Sequence, residues 1–174
     1  MNEKRRLLGM TLDELKGVAF EAGLPGYAAK QMADWLYKKK VTSIAAMTNI
    51  ASAKRALLEK NFEVGAVPPS DLMKSVDGTI KYLYPAGPGN FVESVYIPTE
   101  DRATLCVSSQ VGCKMNCLFC MTGKQGFTKN LSANEILNQI QSLPETEELT
   151  NVVFMGMGEP LDNVDELFKV LELL

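Results

Sequence analysis

The sequence has 174 residues, of which 46% are hydrophobic and 22% charged, and this balance is ordinary for a globular protein with a sizeable core. Only the short apolar run "LLGM" follows the basic start, which is too short for a secretory signal. No later apolar run is long enough for a membrane span, so we expect a cytoplasmic protein. The net charge of −3 is uneven, because residues 1–62 carry 11 Lys and Arg against 6 Asp and Glu. Such a basic part indicates either contact with an anion, such as nucleic acid, or a solvated helical surface.

The N-terminal part is predicted to be helical. Thr11 and Glu14 form a capping-box pattern at the start of a helix that ends at Gly23. Another helix is predicted over 52–61, and the turns between the helices contain glycine. Compact helices of this kind with a basic surface are typical of a small nucleic-acid-binding module, which we assign to residues 1–66.

The helix between these two carries the sequence "AAKQMADWLYKKK". Met32 and Trp35 fall on its apolar stripe and are expected in the core. Lys38, Lys39 and Lys40 follow in its last turn, where the helix dipole favours cations. These three lysines are candidates for contacts with phosphate groups.

The chain becomes strand-rich after a predicted linker over 64–71. The stretch "LMKSVDGTIKYLYP" indicates a β-hairpin with Asp77 and Gly78 in a two-residue turn. Two more alternating strands, "FVESVYIP" and "RATLCVSS", follow it. We assign residues 67–174 to a second, α/β domain that begins with this antiparallel part.

The last part of the chain changes to a helix–strand–helix pattern. Ser132 with Glu135 makes a second capping box, "LTNVVFMG" is a buried strand, and Asn163 with Glu166 is predicted to cap the final helix. This order indicates the start of a parallel α/β sheet. Because the final helix has no Gly, Asn or Pro stop signal, we interpret the chain as the N-terminal part of a longer protein.

All four cysteines lie within "CVSSQVGCKMNCLFC". Cys113, Cys117 and Cys120 have the spacing C-x3-C-x2-C in a loop after a strand, where parallel α/β folds place their ligand sites. Three thiolates cannot close a structural zinc site, but they can hold three irons of a 4Fe-4S cluster and leave the fourth open. A zinc site with Cys106 as the fourth ligand is the alternative, although the chain has no histidine.

These residues resemble a known family. Phe119 before the last cysteine completes a pattern similar to that of the radical S-adenosylmethionine (SAM) superfamily. The segments "RATLCVSSQVGC", "CLFCMTG" and "MGMGEPLDN" resemble the dual-specificity RNA methyltransferases that methylate carbon 2 of adenosine in 23S rRNA and tRNA. The resemblance implies an α/β fold: the start of a radical SAM partial (β/α) barrel, preceded by a small helical RNA-binding accessory domain and an antiparallel β extension.

The resemblance also implies cofactors and residue roles. A 4Fe-4S cluster would be held by Cys113, Cys117 and Cys120, and SAM would bind its open iron. The other matching residues would act on SAM and on the RNA. Gly158 and Glu159 match the residues that bind the methionyl ammonium group, Glu93 matches a proton acceptor, and Cys106 matches the thiol that resolves a covalent RNA adduct.

One part of the family pattern is missing. The family carries the methyl group on a second cysteine in its C-terminal part, and no cysteine follows Cys120 here. The chain by itself is therefore predicted to be inactive for full turnover. The implied partners are 23S rRNA, tRNA and an electron donor such as flavodoxin. Two alternatives remain open: a sister enzyme that methylates carbon 8 and confers antibiotic resistance, and a zinc-bound RNA-binding module without enzymatic activity.

Overall fold

The computed structural model describes residues 4–174. The N-terminal part contains a short strand and three α-helices, with a π-helical turn continuing the second helix and a 3₁₀ turn before the third. Their bounds are β1 Arg5–Arg6, α1 Leu12–Glu21, α2 Ala28–Ala33, the π-helical turn Asp34–Lys38, the 3₁₀ turn Ile44–Ala46 and α3 Ser52–Asn61. Across the residues that the structure describes, no helix combines the length and apolar character needed to cross a membrane.

The N-terminal helices form as their local signals predict. The Thr11 hydroxyl accepts the Glu14 amide at 3.3 Å and the Glu14 carboxylate accepts the Thr11 amide at 2.7 Å, which confirms the capping box. Leu15, Val18 and Ala19 of α1 are buried against side chains of α2 and α3. These helices therefore share one hydrophobic cluster, separate from that of the sheet described below.

Trp35 differs from its prediction as a core residue. Its ring is only partly buried, its Nε1 donates to Asn49 Oδ1 at 2.6 Å, and Lys39 Nζ lies 3.5 Å from the ring centroid. The helix changes from α to π geometry at Asp34, which shifts the side chains that follow relative to an α-helical stripe. Met32 is fully buried, as predicted.

The segment predicted as a linker is packed and hydrogen-bonded. Strand β2, Phe62–Glu63, pairs in parallel with β1, and Val64 is buried. The backbone amide and carbonyl of Val67 bond to Asn138 Oδ1 and Nδ2, each at 2.8 Å. The predicted linker over 64–71 is therefore held to its surroundings at Val64 and Val67, and its last residue, Asp71, begins a strand.

Several polar contacts join the N-terminal part to the rest of the molecule, and three of them involve its charged side chains. Arg6 Nη1 donates to Asn134 Oδ1 at 3.2 Å. Lys169 pairs with Glu14 at 2.8 Å, and Lys40 pairs with Glu147 at 2.7 Å. Each of these three contacts joins positions more than 100 residues apart in the chain, so none of them could be assigned from local patterns.

The second part is built on a five-stranded sheet. The elements of this part are β3 Asp71–Lys74, β4 Ile80–Pro85, β5 Phe91–Pro98, β6 Ala103–Cys106, β7 Gln110–Gly112, α4 Met121–Lys124, β8 Phe127–Asn130, α5 Ala133–Gln141, β9 Asn151–Val153 and α6 Val164–Leu173. The order of the strands in the sheet is β3-β4-β5-β6-β9. Strands β3 to β6 pair antiparallel, whereas β6 and β9 pair in parallel. The connection between β6 and β9 contains α5. The change from antiparallel to parallel pairing matches the order predicted from the sequence.

The β3–β4 hairpin has a longer turn than predicted. Ser75 and Thr79 still face each other, with the Ser75 amide donating to the Thr79 carbonyl at 2.8 Å. Three residues, Val76 to Gly78, therefore form the loop, and Gly78 has a φ of +88°. The two-residue turn was wrong because a glycine in this left-handed conformation also closes three-residue hairpins.

One face of the sheet is covered and the other is partly open. Tyr82, Tyr96 and Leu105 on the covered face pack with Ile136 of α5 and Val170 of α6 in a single hydrophobic cluster. The opposite face carries half-buried side chains, which include Glu93, Val95, Thr104, Cys106 and Val153. The period-2 alternation of the strands therefore separates the core residues from the candidate site residues.

The two helices that cover the sheet start differently. Ser132 and Glu135 form the predicted capping box at α5. At α6, Asn163 makes no side-chain cap, and its Nδ2 donates instead to the carbonyls of Ser109 at 3.0 Å and Leu131 at 2.8 Å. The predicted Asn163–Glu166 cap was wrong because the side chain of Asn163 is buried and its amide donates to these two backbone carbonyls.

Candidate active site

A small hairpin holds the loop that carries three of the four cysteines. Strands β7 and β8 pair antiparallel on either side of residues 113–126, which we call the cysteine loop. The Cys113 amide donates to the Gly126 carbonyl at 3.1 Å, and a side chain at Gly112 would collide with that carbonyl oxygen. The sequence pattern had shown only a long loop here, because these strands are too short for a periodic signal.

The three thiols of the cysteine loop have different surroundings. Cys113 is buried and its sulfur accepts the Met115 amide at 3.5 Å, whereas Cys117 is exposed. Hydrogen bonds from the Gly123 backbone and from Thr122 lower the pKa of the Cys120 thiol. Within residues 4–174, no three His, Cys, Asp or Glu side chains converge on a common point that would suit one metal ion.

The loop after β9 lies against the start of β7. We call residues 155–159 the glycine-rich loop. The amides of Ser109 and Gln110 donate to the Met157 carbonyl at 2.9 and 3.2 Å, and Ser108 Oγ accepts the Met157 amide at 2.8 Å. These bonds bring the base of the cysteine loop and the glycine-rich loop side by side at the carboxyl ends of β6 and β9.

Glycines are required in this loop because of its close backbone contacts. A Cβ atom at Gly156 would lie 2.7 Å from both Ser108 Oγ and the Val107 carbonyl oxygen. Gly158 has a φ of +99°, and a Cβ there would lie 2.5 Å from Gln110 Cβ. The chain can therefore make this turn over β6 only because neither position carries a side chain.

Glu159 is held at its backbone and at its carboxylate. Its amide donates to Gln110 Oε1 at 2.9 Å. One carboxylate oxygen, Oε1, accepts the Leu161 amide at 3.1 Å at the start of the 3₁₀ turn Pro160–Asp162. The carboxylate is half-buried and borders the end of the sheet where the cysteine loop begins.

Glu93 and Cys106 share the open face of the sheet. Val95 pairs with Cys106 across β5 and β6, so Glu93 lies one diagonal step away on the same face. The Glu93 carboxylate bonds Lys81 Nζ at 3.0 Å. Burial raises the pKa of the Cys106 thiol, an effect partly offset by a hydrogen bond with the Met155 backbone.

Sequence reasoning missed the buried polar residues that hold these loops. Ser108, Gln110 and Gln139 have no exposed surface. Gln139 bonds both the amide and the carbonyl of Ser108, at 2.9 and 3.0 Å, and the Ser108 hydroxyl donates to the Glu93 carbonyl at 2.5 Å. The polar run "SSQ" between an apolar strand and the cysteine loop was the available signal, since buried polar groups need partners.

The three candidate lysines at the end of the second helix are not equivalent. Lys38 pairs with Asp34 at 2.7 Å, and Lys39 stacks on Trp35. Lys40 is turned towards the loop before β9, where it pairs with Glu147. Only Lys38 and Lys39 therefore remain on the exposed surface as candidates for phosphate contacts.

Two families match separate parts of the chain. Residues 107–174 match the family described as the radical SAM superfamily. Residues 5–64 match the family described as the ribosomal RNA large subunit methyltransferase N-terminal domain. The first match contains the cysteine loop and the glycine-rich loop, and the second contains the N-terminal helices.

Similar proteins are known along the whole chain. A probable dual-specificity RNA methyltransferase from Parabacteroides distasonis is 82% identical over 174 residues, which are 100% of this chain and 51% of the relative. A dual-specificity RNA methyltransferase from Geobacter sulfurreducens is 45% identical over 95% of this chain and 46% of its own length. The chain therefore spans about half the length of these relatives.

A solved structure has the same fold. The crystal structure of a radical SAM methyltransferase from Sphaerobacter thermophilus matches with a TM-score of 0.88 and 35% sequence identity. The match covers 98% of this chain and 52% of that chain. The helical part, the antiparallel strands and the parallel β6–β9 unit are therefore arranged as in part of a radical SAM methyltransferase.

Proposed function

This chain belongs to the radical SAM dual-specificity RNA methyltransferase family, and on that premise we propose that it supplies the cluster-binding and SAM-binding half of such an enzyme. The proposed reaction transfers a methyl group from SAM to carbon 2 of adenosine in 23S rRNA and tRNA. The observation that carries the proposal is the position of the cysteine loop. It stands beside the glycine-rich loop at the carboxyl ends of two parallel strands, where α/β folds bind ligands.

The donor set of the cysteine loop fits a 4Fe-4S cluster. The cluster takes one thiolate at each of three irons, so its ligands surround a cube and need not converge on a single ion. Cys113, Cys117 and Cys120 supply three thiols on one loop, and hydrogen bonds to Cys120 favour its thiolate. When bound, the cluster would supply the electron that cleaves SAM into methionine and a 5′-deoxyadenosyl radical.

The remaining site residues bind and orient the reactants in this proposal. Gly158 lets the backbone approach the methionyl group of SAM, and the Glu159 carboxylate accepts its ammonium group. Glu93 and Cys106 stand together on the open face, which suits a proton acceptor and an adduct-resolving thiol that act on the same adenine. Burial raises the pKa of the Cys106 thiol, which favours its protonated form.

Other components of the reaction come from outside these residues. The methyl-carrying cysteine belongs to the C-terminal half that the relatives have in addition. An electron donor such as flavodoxin reduces the cluster, and 23S rRNA and tRNA bind through the basic N-terminal helices. The reaction takes place in the cytoplasm, where thiols stay reduced.

Iron loading tests the proposal directly. Anaerobic reconstitution of the chain should give about four irons and an equal amount of sulfide per chain. Replacing Cys113, Cys117 or Cys120 by Ala should abolish stable loading, because each removes one of three ligands. Cys106→Ala is the matched control and should keep the cluster, since Cys106 lies in strand β6 outside the cysteine loop.

Two results would contradict this assignment. Zinc without sulfide in the purified chain would favour a structural RNA-binding module. Loss of the cluster in Cys106→Ala together with its retention in Cys117→Ala would show that the ligand set is wrong. Joining the chain to the C-terminal half of the Parabacteroides distasonis relative and mapping the methylated position on adenosine distinguishes carbon 2 from carbon 8.

A further inference from the structure

A series of side-chain contacts joins the cysteine loop to the glycine-rich loop, and the proposed function assigns no role to it. Lys114, next to Cys113, pairs with Asp162 Oδ2 at 2.8 Å. The same carboxylate oxygen accepts Gln110 Nε2 at 2.8 Å. Gln110 Oε1 then accepts the amide of Glu159 at 2.9 Å. These bonds lead without interruption from the cysteine loop to the backbone of Glu159.

Gln110 is held rigidly in this series. Its side-chain amide uses both hydrogens, one to Asp162 and one to Asn130 Oδ1 at 2.9 Å, and its oxygen accepts from Glu159. The residue has no exposed surface, so water cannot replace a missing partner. Any rotation of the Gln110 amide breaks several of these bonds together. Because one of them is to Asp162, the orientation of the amide depends on the position of Asp162.

Lys114 is also constrained from two sides. Its Nζ lies 4.3 Å from the centroid of the Phe127 ring on strand β8, in addition to the ion pair with Asp162. Asp162 ends the 3₁₀ turn that follows Glu159. The lysine therefore bridges the cysteine loop, its supporting hairpin and the turn after the glycine-rich loop.

We propose that Lys114, Asp162 and Gln110 are positioning residues that couple the cysteine loop to the backbone of Glu159. A shift of the cysteine loop moves Asp162 through Lys114, and Gln110 passes that shift to the Glu159 amide. The ligands of the cluster and the carboxylate that binds the SAM ammonium group are thereby held in one arrangement. The identity of the bound ligand rests on the proposed function, whereas the coupling rests on the contacts alone.

Hydrogen exchange in the chain itself tests the coupling without any cofactor. Lys114→Met removes the cation but keeps the alkyl stem, and the half-exposed position should tolerate it. We expect the peptide over 156–161 to exchange about two- to fivefold faster, because a half-exposed ion pair contributes only modestly to local stability. Lys114→Arg should restore the slow exchange, because arginine keeps the charge and a donor for Asp162.

Lys124→Met is the matched control. Lys124 carries the same charge on the same loop, and within residues 4–174 it forms no ion pair. Its replacement should leave exchange over 156–161 unchanged. Unchanged exchange in Lys114→Met, or equal acceleration in both variants, would overturn the coupling.

SAM binding provides the second measurement. In the chain joined to the C-terminal half of the Parabacteroides distasonis relative and loaded with iron, Lys114→Met should raise the Kd for SAM about two- to fivefold at unchanged iron content. Lys114→Arg should return the Kd to the parent value, and an unchanged Kd in Lys114→Met would overturn the positioning role. If the parent protein fails to bind SAM, the proposed function is wrong. The hydrogen-exchange measurement still decides whether Lys114 couples the cysteine loop to Glu159, because it needs no cofactor.

Discussion

At the scale of single residues, the four cysteines should differ in reactivity. Burial raises the pKa of the Cys106 thiol, whereas hydrogen bonds lower that of Cys120. Only the thiolate is alkylated, so at neutral pH iodoacetamide should modify Cys117 and Cys120 well before Cys106 and the buried Cys113. Mass spectrometry of peptides from the chelator-treated chain measures this order.

The pH dependence of alkylation gives an additional test. A raised pKa keeps Cys106 protonated at neutral pH, so its rate should rise about tenfold per pH unit as the pH increases towards that pKa. The rate of Cys120 should level off at lower pH, because more of its thiol is already ionised. The urea-unfolded chain is the control, and all four of its cysteines should be alkylated at one common rate. If the cysteines of the unfolded chain kept the same order of alkylation rates, burial would not be the explanation.

At the scale of structural elements, two glycines should respond in opposite ways to alanine. Gly156→Ala places a Cβ atom 2.7 Å from Ser108 Oγ and the Val107 carbonyl, so we expect a loss of about 1–3 kcal/mol in the free energy of unfolding. Gly17 lies inside α1 with no atom near its missing side chain. Gly17→Ala should therefore stabilise the protein by up to about 1 kcal/mol.

Urea denaturation followed by circular dichroism measures both effects. A shift in the midpoint at constant slope reports a change in stability. Equal stability of Gly156→Ala and the parent chain would show that the glycine-rich loop can move away from β6. In that case, the close packing of Gly156 against β6 would not explain why the glycine-rich loop lies beside the cysteine loop.

At the scale of the whole molecule, the uneven charge should govern RNA binding. The logarithm of the affinity for a synthetic RNA hairpin should fall linearly with the logarithm of the salt concentration. Replacing Lys38 and Lys39 by Gln should reduce this slope by about two, one unit for each phosphate that is no longer neutralised. Filter binding between low and physiological salt gives the slope.

The ion pair of Lys38 offers a matched variant for the same measurement. Asp34→Asn removes the carboxylate that holds Lys38, so it should raise the affinity for RNA at low salt. Lys40 is left unchanged, because its pair with Glu147 joins two parts of the molecule. An affinity that does not depend on salt would show that the basic surface serves solubility and not RNA binding.

Much of the fold could be predicted from the sequence because the deciding signals are local. The capping boxes at Thr11 and Ser132 join residues three positions apart, and the alternation in β5 is a property of one strand. The spacing of the three cysteines likewise predicts a ligand motif without any tertiary contact. The family resemblance and the α/β fold are confirmed, whereas the boundary at residue 66 and the roles of the site residues stay predictions.

Only the tertiary structure decided how the site is held together. Gln110 and Asp162 are 52 residues apart in the sequence, and no periodic pattern indicates that their side chains meet. Asn163 resembled a helix cap, yet its buried side-chain amide donates to two carbonyls from distant parts of the chain, which no local pattern indicates. Residue type and spacing in the sequence predict the chemistry of the cysteine loop, whereas hydrogen bonds between distant buried groups determine its position beside the glycine-rich loop.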